Sequence, residues 1–204
     1  MLEVLTGSGL AASAGLNAYI PLLVMGLLAR YTDVIDLSGG WSWLDNGWCL
    51  GLMGLLLAVE VVADKVPIVD HVNDLVQTVI RPTAGGLAFG AGTSTYTVTD
   101  ASPHSTQWGP VIAGVLIALC VHGVKAASRP VVNATTAGFG APVASTAEDF
   151  SSVALSLLAI LAPVLVLVGL LLMIAAAVWV FRRRRRRRQE RERYAASEVT
   201  QSFG

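Results

Sequence analysis

Residues 108–130 read WGPVIAGVLIALCVHGVKAASRP, an apolar stretch that ends in a histidine, a lysine and an arginine. An α-helix rises about 1.5 Å per residue, so about 20 apolar residues cross the hydrocarbon core of a bilayer. Tryptophan is enriched where a membrane meets water, and Trp108 opens the stretch. The pattern therefore predicts a membrane helix over residues 108–127, with His122 and Lys125 toward its other end.

Three further apolar stretches predict membrane helices over residues 9–29, 47–63 and 153–181. Asn17 and Pro21 interrupt the first of them and predict a kink, and we expect Asn17 to make an interhelical hydrogen bond. The whole chain agrees with this interpretation, because it is 54% hydrophobic and only 14% charged, whereas soluble domains are about a quarter charged. An ordinary soluble protein is thereby excluded.

Two tracts that resemble each other form an internal repeat. Each begins with the proline of an Arg-Pro pair, contains 18 residues without Asp, Glu, Lys or Arg, and is rich in small residues. The tracts are residues 82–99, after Arg81, and residues 130–147, after Arg129. Such a helix measures about 27 Å, so each tract either crosses the membrane or forms a broken or re-entrant helix. A GxxxG pattern at Gly86 and Gly90 predicts close packing against another helix.

Together these segments predict an all-α fold, with one membrane bundle of about six crossings in residues 1–181 and a basic tail in residues 182–204. A bundle of four crossings with two re-entrant tracts is the alternative. Seven arginines, from Arg182 to Arg188, directly follow the last apolar stretch, and basic residues favour the cytoplasmic side. We therefore expect a disordered cytoplasmic tail that contacts anionic lipid headgroups of a plasma membrane. Nucleic-acid binding is not expected, because the run has no interleaved aromatic residues and no folded scaffold.

Charged residues occur within the predicted helices at helical spacing. Glu60 and Asp64 are four residues apart in the second helix and therefore share one face. Lys125 and Arg129 have the same spacing in the helix quoted above. We expect the two pairs to meet, because an unpaired ion inside a membrane helix costs about 2.5–3.5 kcal/mol on insertion scales. The full candidate set consists of Glu60, Asp64, Lys65, Arg81, His122, Lys125 and Arg129.

Two interpretations of this set stay open. In the first, the residues line a polar path for a proton, an ion or a small solute, as ionisable residues inside membranes often do. In the second, Asp64, Lys65 and Arg129 lie at the level of the lipid headgroups and merely end their helices. The second interpretation is the stronger one for those three residues, whereas the two are balanced for Glu60 and Lys125.

A short acidic set, Asp70, His71 and Asp74, lies in the predicted cytoplasmic loop. If the loop is helical, the three side chains lie beside one another and suit magnesium, manganese or zinc, although acidic residues of loops are usually solvated. The sequence contains no HExxH, GxSxG or P-loop motif. We therefore expect neither an enzyme nor a cofactor, and metal binding is the weaker interpretation of the acidic set.

Glu148 and Asp149 precede the last predicted helix. Acidic residues are favoured at a helix N-terminus, where they face the positive end of the dipole. Ser145 or Thr146 would cap the same helix. The four residues are therefore interpreted as structural.

Five stretches of the chain form an ordered set: AASAGLNAYIP (residues 11–21), EVVADKVP (60–67), IRPTAGG (80–86), HGVKAASR (122–129) and STAED (145–149). In this order they resemble a family known as domain of unknown function 4126, which is expected to consist of multi-span membrane proteins found mainly in bacteria. They fall within residues 8–180. Asn17 departs from the basic residue that the resemblance implies at its position, which puts an anion contact there in doubt. The resemblance implies a membrane protein and no particular activity.

A small transporter or channel-like protein for an ion or small solute is the leading functional hypothesis, because paired charges beside small-residue helices are typical of a site at the membrane midplane. In it, Glu60 responds to a proton or cation, and Lys125 and Arg129 balance its charge or hold an anionic substrate. The second hypothesis is a non-transporting scaffold whose arginine tail binds lipid or a partner. The third is a membrane enzyme acting on lipid phosphates, with the basic residues on phosphate and the acidic set on a metal. A homo-oligomer is compatible with all three.

Overall fold

The computed structural model shows a chain of α-helices. The described residues are 1–37, 39–64, 67–94, 108–136, 140–169, 171–172, 174–176, 178–179 and 182–183. The helices are α1 (Leu2–Leu16), α2 (Ile20–Tyr31), α3 (Gly47–Ala63), α4 (Pro67–Ser94), α5 (Trp108–Thr136) and α6 (Gly140–Leu161), with a 3₁₀ helix at Gly39–Asp45 between α2 and α3. A further helical segment follows at residues 163–169. No strand occurs within the described ranges, so the prediction of an all-α fold is confirmed. The chain divides into two units, Met1–Val168 and Gly169–Gly204, and the helical core belongs to the first.

Glycines bring α4 and α5 into close contact. A Cβ atom at Gly86 would lie 2.9 Å from the Val115 side chain and 3.1 Å from the Val111 carbonyl oxygen. A Cβ atom at Gly114 would meet the carbonyl group of Gly85. Only glycine permits this approach, so the close packing predicted from the GxxxG pattern is confirmed. The contacts join the first half of α5 to the second half of α4, so the two helices run antiparallel.

Alanine in place of Gly114 is expected to destabilise the bundle by about 1–3 kcal/mol, because overpacking a tight contact forces the two helices apart. Gly123→Ala is the matched control on the same helix, since a Cβ atom there meets nothing within 4 Å. The control should be neutral or stabilising by up to about 1 kcal/mol, because alanine favours a helix more than glycine does. Unfolding of the detergent-solubilised protein measures both variants. Equal stability of the two would contradict the close contact.

A sharp break at residues 17–19 separates α1 from α2. Asn17 ends α1 in an extended conformation, and its side-chain Oδ1 accepts hydrogen bonds from the backbone N–H groups of Tyr19 (3.1 Å) and Ile20 (3.2 Å). These bonds satisfy donors at the start of α2, as an N-cap does. Pro21 suits the first turn of α2, where a backbone N–H needs no helical partner. The polar side chain therefore starts a new helix.

The break reverses the chain, so α1 and α2 form a helical hairpin. The beginning of α1 lies beside the end of α4, since a Cβ atom at Gly7 would lie 2.8 Å from the Phe89 ring. The hairpin's other limb, α2, packs against the 3₁₀ helix. Trp41 of that 3₁₀ helix lies 2.7 Å from the Cβ position of Gly90, next to Phe89. Both outer ends of the hairpin therefore lie near the end of α4, and the prediction of one kinked helix over residues 9–29 is wrong.

Both α4 and α5 continue through the two Arg-Pro pairs. Pro82 lies inside α4 and is buried, and Pro130 lies inside α5. An internal proline removes a backbone hydrogen bond and disfavours helix in the residue before it. Here the arginine before each proline is held by buried ion pairs, which offset that cost. Within the described residues, neither tract is a helix of its own, and whether each tract crosses the membrane stays a prediction. Residues 82–94 complete α4, residues 130–136 complete α5, residues 140–147 begin α6, and residues 95–107 and 137–139 lie outside the described residues.

The last predicted helix, over residues 153–181, is also corrected. The helix α6 begins well before that range and ends before Pro163. The Cβ position of Gly9 lies 2.7 Å from Ala159 and 3.0 Å from Val166. In a straight helix, Ala159 and Val166 would be about 10 Å apart, because they are separated by seven residues. Both lie next to Gly9, so the chain bends between them. Pro163 accounts for the bend, since proline cannot continue the hydrogen-bonding pattern.

Two helices are long and apolar enough to cross a membrane, Trp108–Arg129 within α5 and Pro142–Leu161 within α6. A third candidate is the pair formed by the 3₁₀ helix and α3, which is bent by 62°. This count rests on length and composition and covers the described residues only. It supports a membrane protein with two to three candidate crossings, whereas about six crossings are not confirmed. The bounds predicted for the second helix, residues 47–63, match α3.

Candidate functional site

Six charged side chains meet in one buried cluster. This ion-pair cluster consists of Glu60 in α3, Asp64 directly after α3, Arg81 in α4, Lys125 and Arg129 in α5, and Glu148 in α6. Three carboxylates therefore face three cations. The candidate set derived from the sequence contained five of the six, and the structure brings those five together.

Asp64 lies at the centre of the cluster. Its Oδ2 atom lies 3.3 Å from Lys125 Nζ, 3.1 Å from Arg129 Nη2 and 3.8 Å from Arg81 Nη2. The other carboxylate oxygen, Oδ1, accepts a hydrogen bond from Asn73 Nδ2 at 2.6 Å. Arg81 and Arg129 occupy equivalent positions in the two repeats of the sequence. The repeat therefore places two arginines on one carboxylate oxygen.

Glu148 closes the cluster from α6. Its Oε2 atom lies 2.9 Å from Lys125 Nζ and 3.1 Å from Arg129 Nη2. Because α6 begins at Gly140, Glu148 lies about two turns inside the helix. The interpretation of Glu148 and Asp149 as acidic residues at a helix N-terminus is therefore wrong.

Ser145 and Thr146 also lie inside α6 and do not cap it. The Thr146 hydroxyl donates to the carbonyl oxygen of Pro142 at 2.8 Å, within the same helix. The Ser145 hydroxyl is buried and has no hydrogen-bond partner among the described residues. The predicted cap is therefore wrong, because the helix starts earlier than the apolar pattern indicated.

Glu60 and Arg81 form a second centre of the cluster. Arg81 Nη2 donates to Glu60 Oε1 at 2.7 Å. Arg81 Nη1 lies 3.3 Å from His122 Nδ1, and His122 Nε2 lies 3.1 Å from Thr78 Oγ1. A guanidinium group only donates, so His122 Nδ1 is the acceptor and the ring proton sits on Nε2, facing Thr78. His122 is therefore a neutral ring that orients Arg81.

The tip of the α1–α2 hairpin touches the cluster. Lys125 Nζ donates to the Leu16 carbonyl oxygen at 3.2 Å, where the negative end of the α1 dipole favours a cation. Asn17 Nδ2 donates to Asp149 Oδ1 at 3.0 Å, which confirms the interhelical hydrogen bond predicted for Asn17. Both α5 and α6 therefore contact the hairpin where it reverses.

The cluster is shielded from water. The five residues that are at most 5% exposed are Glu60, Asp64, Arg81, Lys125 and Arg129. Burying an ion costs several kcal/mol unless ion pairs and hydrogen bonds compensate for the lost hydration. Each of these five residues has an ion-pair partner within the cluster. Asp64 does end its helix, as predicted, but both Asp64 and Arg129 are buried in ion pairs, and their depth in the membrane stays a prediction.

Exposed aromatic and apolar residues lie on both sides of the cluster along the helix axes. Trp48 and Trp108 are exposed at the starts of α3 and α5, and Val143 is exposed near the start of α6. At about 1.5 Å per residue, Glu60 lies about 18 Å along α3 from Trp48. On the opposite side of the cluster, Val143 lies about 8 Å along α6 from Glu148. Lys125 lies about 26 Å from Trp108 on the same basis. Exposed apolar side chains therefore flank the cluster on both sides.

The remaining candidates of the sequence lie outside the described part of the chain. They are Lys65 and the side chains of Asp70, His71 and Asp74, whose proposed roles stay predictions. Within the described residues, no three His, Cys, Asp or Glu side chains lie together as a metal site requires. The cluster does not form one, because its carboxylates face arginine and lysine side chains.

A comparison with known families gives one match. The model of a family described as a domain of unknown function (DUF4126) matches residues 4–183. No curated protein and no solved structure matches the chain. The family match covers most of the 204 residues and includes every member of the ion-pair cluster. The chain therefore belongs to the family of the domain of unknown function DUF4126.

Proposed function

We propose that this protein is a small transporter or channel-like protein for an ion or small solute, and that the ion-pair cluster is its polar site. One observation carries the proposal: six charged side chains, five of them buried, meet among apolar helices at the tip of a broken helical hairpin. Ionisable residues inside membranes are rare and commonly mark ion or substrate pathways. Discontinuous helices whose ends point at charged groups are typical of transporter sites at the membrane midplane.

The energetics of the cluster favour a functional role over a purely structural one. Replacing a buried ion pair by well-packed apolar residues often leaves the stability of a protein unchanged or raises it by about 1–4 kcal/mol. Six charges are therefore not required to hold these helices together. The network also leaves one acceptor unused, because Glu60 Oε2 has no hydrogen-bond partner among the described residues. A cluster built only for stability would satisfy that oxygen.

We propose a topology in which α3, α4, α5 and α6 cross the membrane and the α1–α2 hairpin is re-entrant. This arrangement replaces the six crossings predicted from the sequence, because both ends of the hairpin lie on the same side of the bundle. Buried small residues in the second half of α4 pack against α1 and α5, so this part of the helix is covered by protein where it passes through the membrane. The hairpin tip then lies within the bilayer at the depth of the cluster.

We place the protein in a bacterial plasma membrane with its C-terminal tail in the cytoplasm. The seven arginines from Arg182 to Arg188 support this sidedness and would contact anionic lipid headgroups. The Arg183 guanidinium lies 5.0 Å from the centre of the Trp179 ring, a cation–π contact between two residue types that favour the interface.

Flux measured in proteoliposomes tests the proposed function. The purified full chain is reconstituted and exposed to gradients of protons, common ions and small solutes, and it is compared with Glu60→Gln and Lys125→Ala. Asp33→Asn is the matched control, because Asp33 is an exposed carboxylate outside the helices. Circular dichroism and gel filtration first establish that all four proteins are folded.

Both cluster variants are expected to lose about tenfold or more of the flux, the effect of about 1.4 kcal/mol on a rate, while the control retains it. Absence of flux in the wild-type protein across the whole panel would overturn the transport proposal. That result would favour a scaffold, and deletion of residues 182–204 would then be expected to abolish its effect.

A further inference from the structure

The two carboxylate oxygens of Glu60 have different surroundings. Oε1 accepts the hydrogen bond of Arg81 at 2.7 Å. Oε2 is buried and has no hydrogen-bond partner among the described residues, and the residue as a whole is 2% exposed. A buried, charged oxygen without a donor is unfavourable, whereas a protonated carboxyl group carries its own donor and needs only an acceptor.

An acceptor is available on the neighbouring face of α4. Asn73 bonds to Asp64, and Arg81 bonds to Glu60, so both side chains point toward the acidic end of α3. Gln77 lies four residues from each of them and therefore shares their helical face. Gln77 is buried, and its Oε1 atom has no donor among the described residues. Two unpartnered oxygens, one on Glu60 and one on Gln77, thus belong to the same interface between α3 and α4.

The other two carboxylates of the cluster cannot lose their charge as easily. Asp64 uses both oxygens, and its Oδ2 faces two cations within 3.3 Å. Glu148 Oε2 faces the same two cations, Lys125 and Arg129. Neutralising Asp64 or Glu148 would therefore leave buried cations short of a partner. Glu60 differs, because its only ion-pair partner among the described residues, Arg81, already lies 3.8 Å from Asp64 Oδ2.

We propose that Glu60 is the carboxylate at which the cluster binds a proton. The inference rests on the proposed function for its role, and it names the proton as the coupling ion. A hydronium ion gives its proton to Oε2, an O–H bond forms there, and a water molecule is released. No electrons are transferred, Arg81 keeps its charge and its contact to Asp64, and the net charge of the cluster rises by one.

The groups around Glu60 fit a proton better than a metal cation. The titratable and charged groups that face it are Tyr19 at the hairpin tip, Asp64 after α3, Arg81 in α4 and Lys125 in α5, with His122 behind Arg81. A metal ion requires several oxygen ligands and would add a full charge beside an arginine and a lysine. A proton requires one carboxylate oxygen and one acceptor; Glu60 supplies the first, and Gln77, on the same interface, is the acceptor that the proposal assigns.

Infrared difference spectroscopy of the lipid-reconstituted full chain tests the proposal without measuring transport. Spectra are recorded during a pH titration in H₂O and in D₂O, and the carbonyl stretch of a buried, protonated carboxylic acid is followed. The wild-type protein is expected to show one such band, and Glu60→Gln is expected to lose it. Asp33→Asn is the control, because it also removes one carboxylate, and it should leave the buried band unchanged.

A buried band that persists in a folded Glu60→Gln variant would overturn the proposal, whatever the flux measurements show. If the wild-type protein shows the band but no flux, the transport function is refuted and the assignment of the proton site stands. If Glu60→Gln does not fold, Glu60→Asp serves instead, because it keeps a carboxyl group at a different position. The midpoint of the titration should then move, and an unchanged midpoint would contradict the assignment.

Discussion

Asparagine in place of Asp64 is expected to lower the free energy of unfolding by about 3–5 kcal/mol, the cost of leaving buried ions without their partner. The Asp64 carboxylate faces Lys125, Arg129 and Arg81 at 3.3, 3.1 and 3.8 Å. An asparagine has nearly the same size, so the loss reports charge and not packing. Unfolding in detergent, followed by circular dichroism, measures the change. We expect the variant to yield little folded protein.

The matched control for this substitution is Asp33→Asn, which removes the same charge from an exposed position. Surface substitutions usually change stability by no more than about 0.5 kcal/mol. Equal stability of the two variants would contradict the central place of Asp64 in the cluster.

Glutamine in place of Arg81 is expected to destabilise the protein by a similar amount, about 3–5 kcal/mol, because it leaves the buried Glu60 carboxylate without its cation. Arg81 is fully buried and contacts Glu60 at 2.7 Å and His122 at 3.3 Å. Arg30→Gln is the matched control, because Arg30 is exposed and its guanidinium donates to the Asp45 carbonyl oxygen at the end of the 3₁₀ helix. The free energy of unfolding of each variant is measured as for the Asp64 substitution.

The double variant Glu60→Gln, Arg81→Gln tests the pairing of Glu60 with Arg81 more directly than either single variant does. Neutralising both partners removes the unpaired charge, so the double variant should be more stable than the sum of the two single losses predicts. Contacting residues in one network show interaction energies of about 0.5–3 kcal/mol, and we expect a value in the upper part of that range. Strict additivity would show that Glu60 and Arg81 are not a buried pair.

Most residues of the ion-pair cluster could be predicted from the sequence, for a physical reason. Charges inside apolar helices must find partners, and four-residue spacing puts them on one face. Glu60 with Asp64 and Lys125 with Arg129 followed from that rule, and the structure brings them together. The bounds of α3 also followed, because the apolar stretch is clearly delimited.

The hairpin was not predictable in the same way. An apolar, charge-free stretch is compatible with one long helix and with two short helices that reverse. Which of these forms depends on Asn17, whose side chain accepts hydrogen bonds from Tyr19 and Ile20 and contacts Asp149. Capping by a side chain leaves no periodic signal in the sequence. The contact to Asp149 joins residues far apart in the chain, which local patterns do not record.

Glu148 was missed because its sequence neighbours offered a simpler explanation. Because Glu148 precedes an apolar run, the sequence pattern predicts a residue of a first helical turn. The Gly-, Thr- and Ser-rich sequence before it gave no sign that α6 begins at Gly140. Glu148 contacts Lys125 and Arg129 because α5 and α6 pack antiparallel. This packing is tertiary structure, which a local sequence pattern does not show. Asn73 was missed for a similar reason, since one amide on a polar helix face carries no distinct pattern.

The most direct test of the central claim, that the buried cluster is a site of ion or solute passage, is the ratio of two fluxes. Glu60→Gln and Asp33→Asn each remove one carboxylate, the first inside the cluster and the second at the surface. At equal amounts of folded, reconstituted protein, the account predicts a flux for Glu60→Gln of about one tenth of that for Asp33→Asn or less, a difference of at least about 1.4 kcal/mol in the barrier. Equal fluxes in the two variants would contradict it and leave the cluster a structural feature of the bundle.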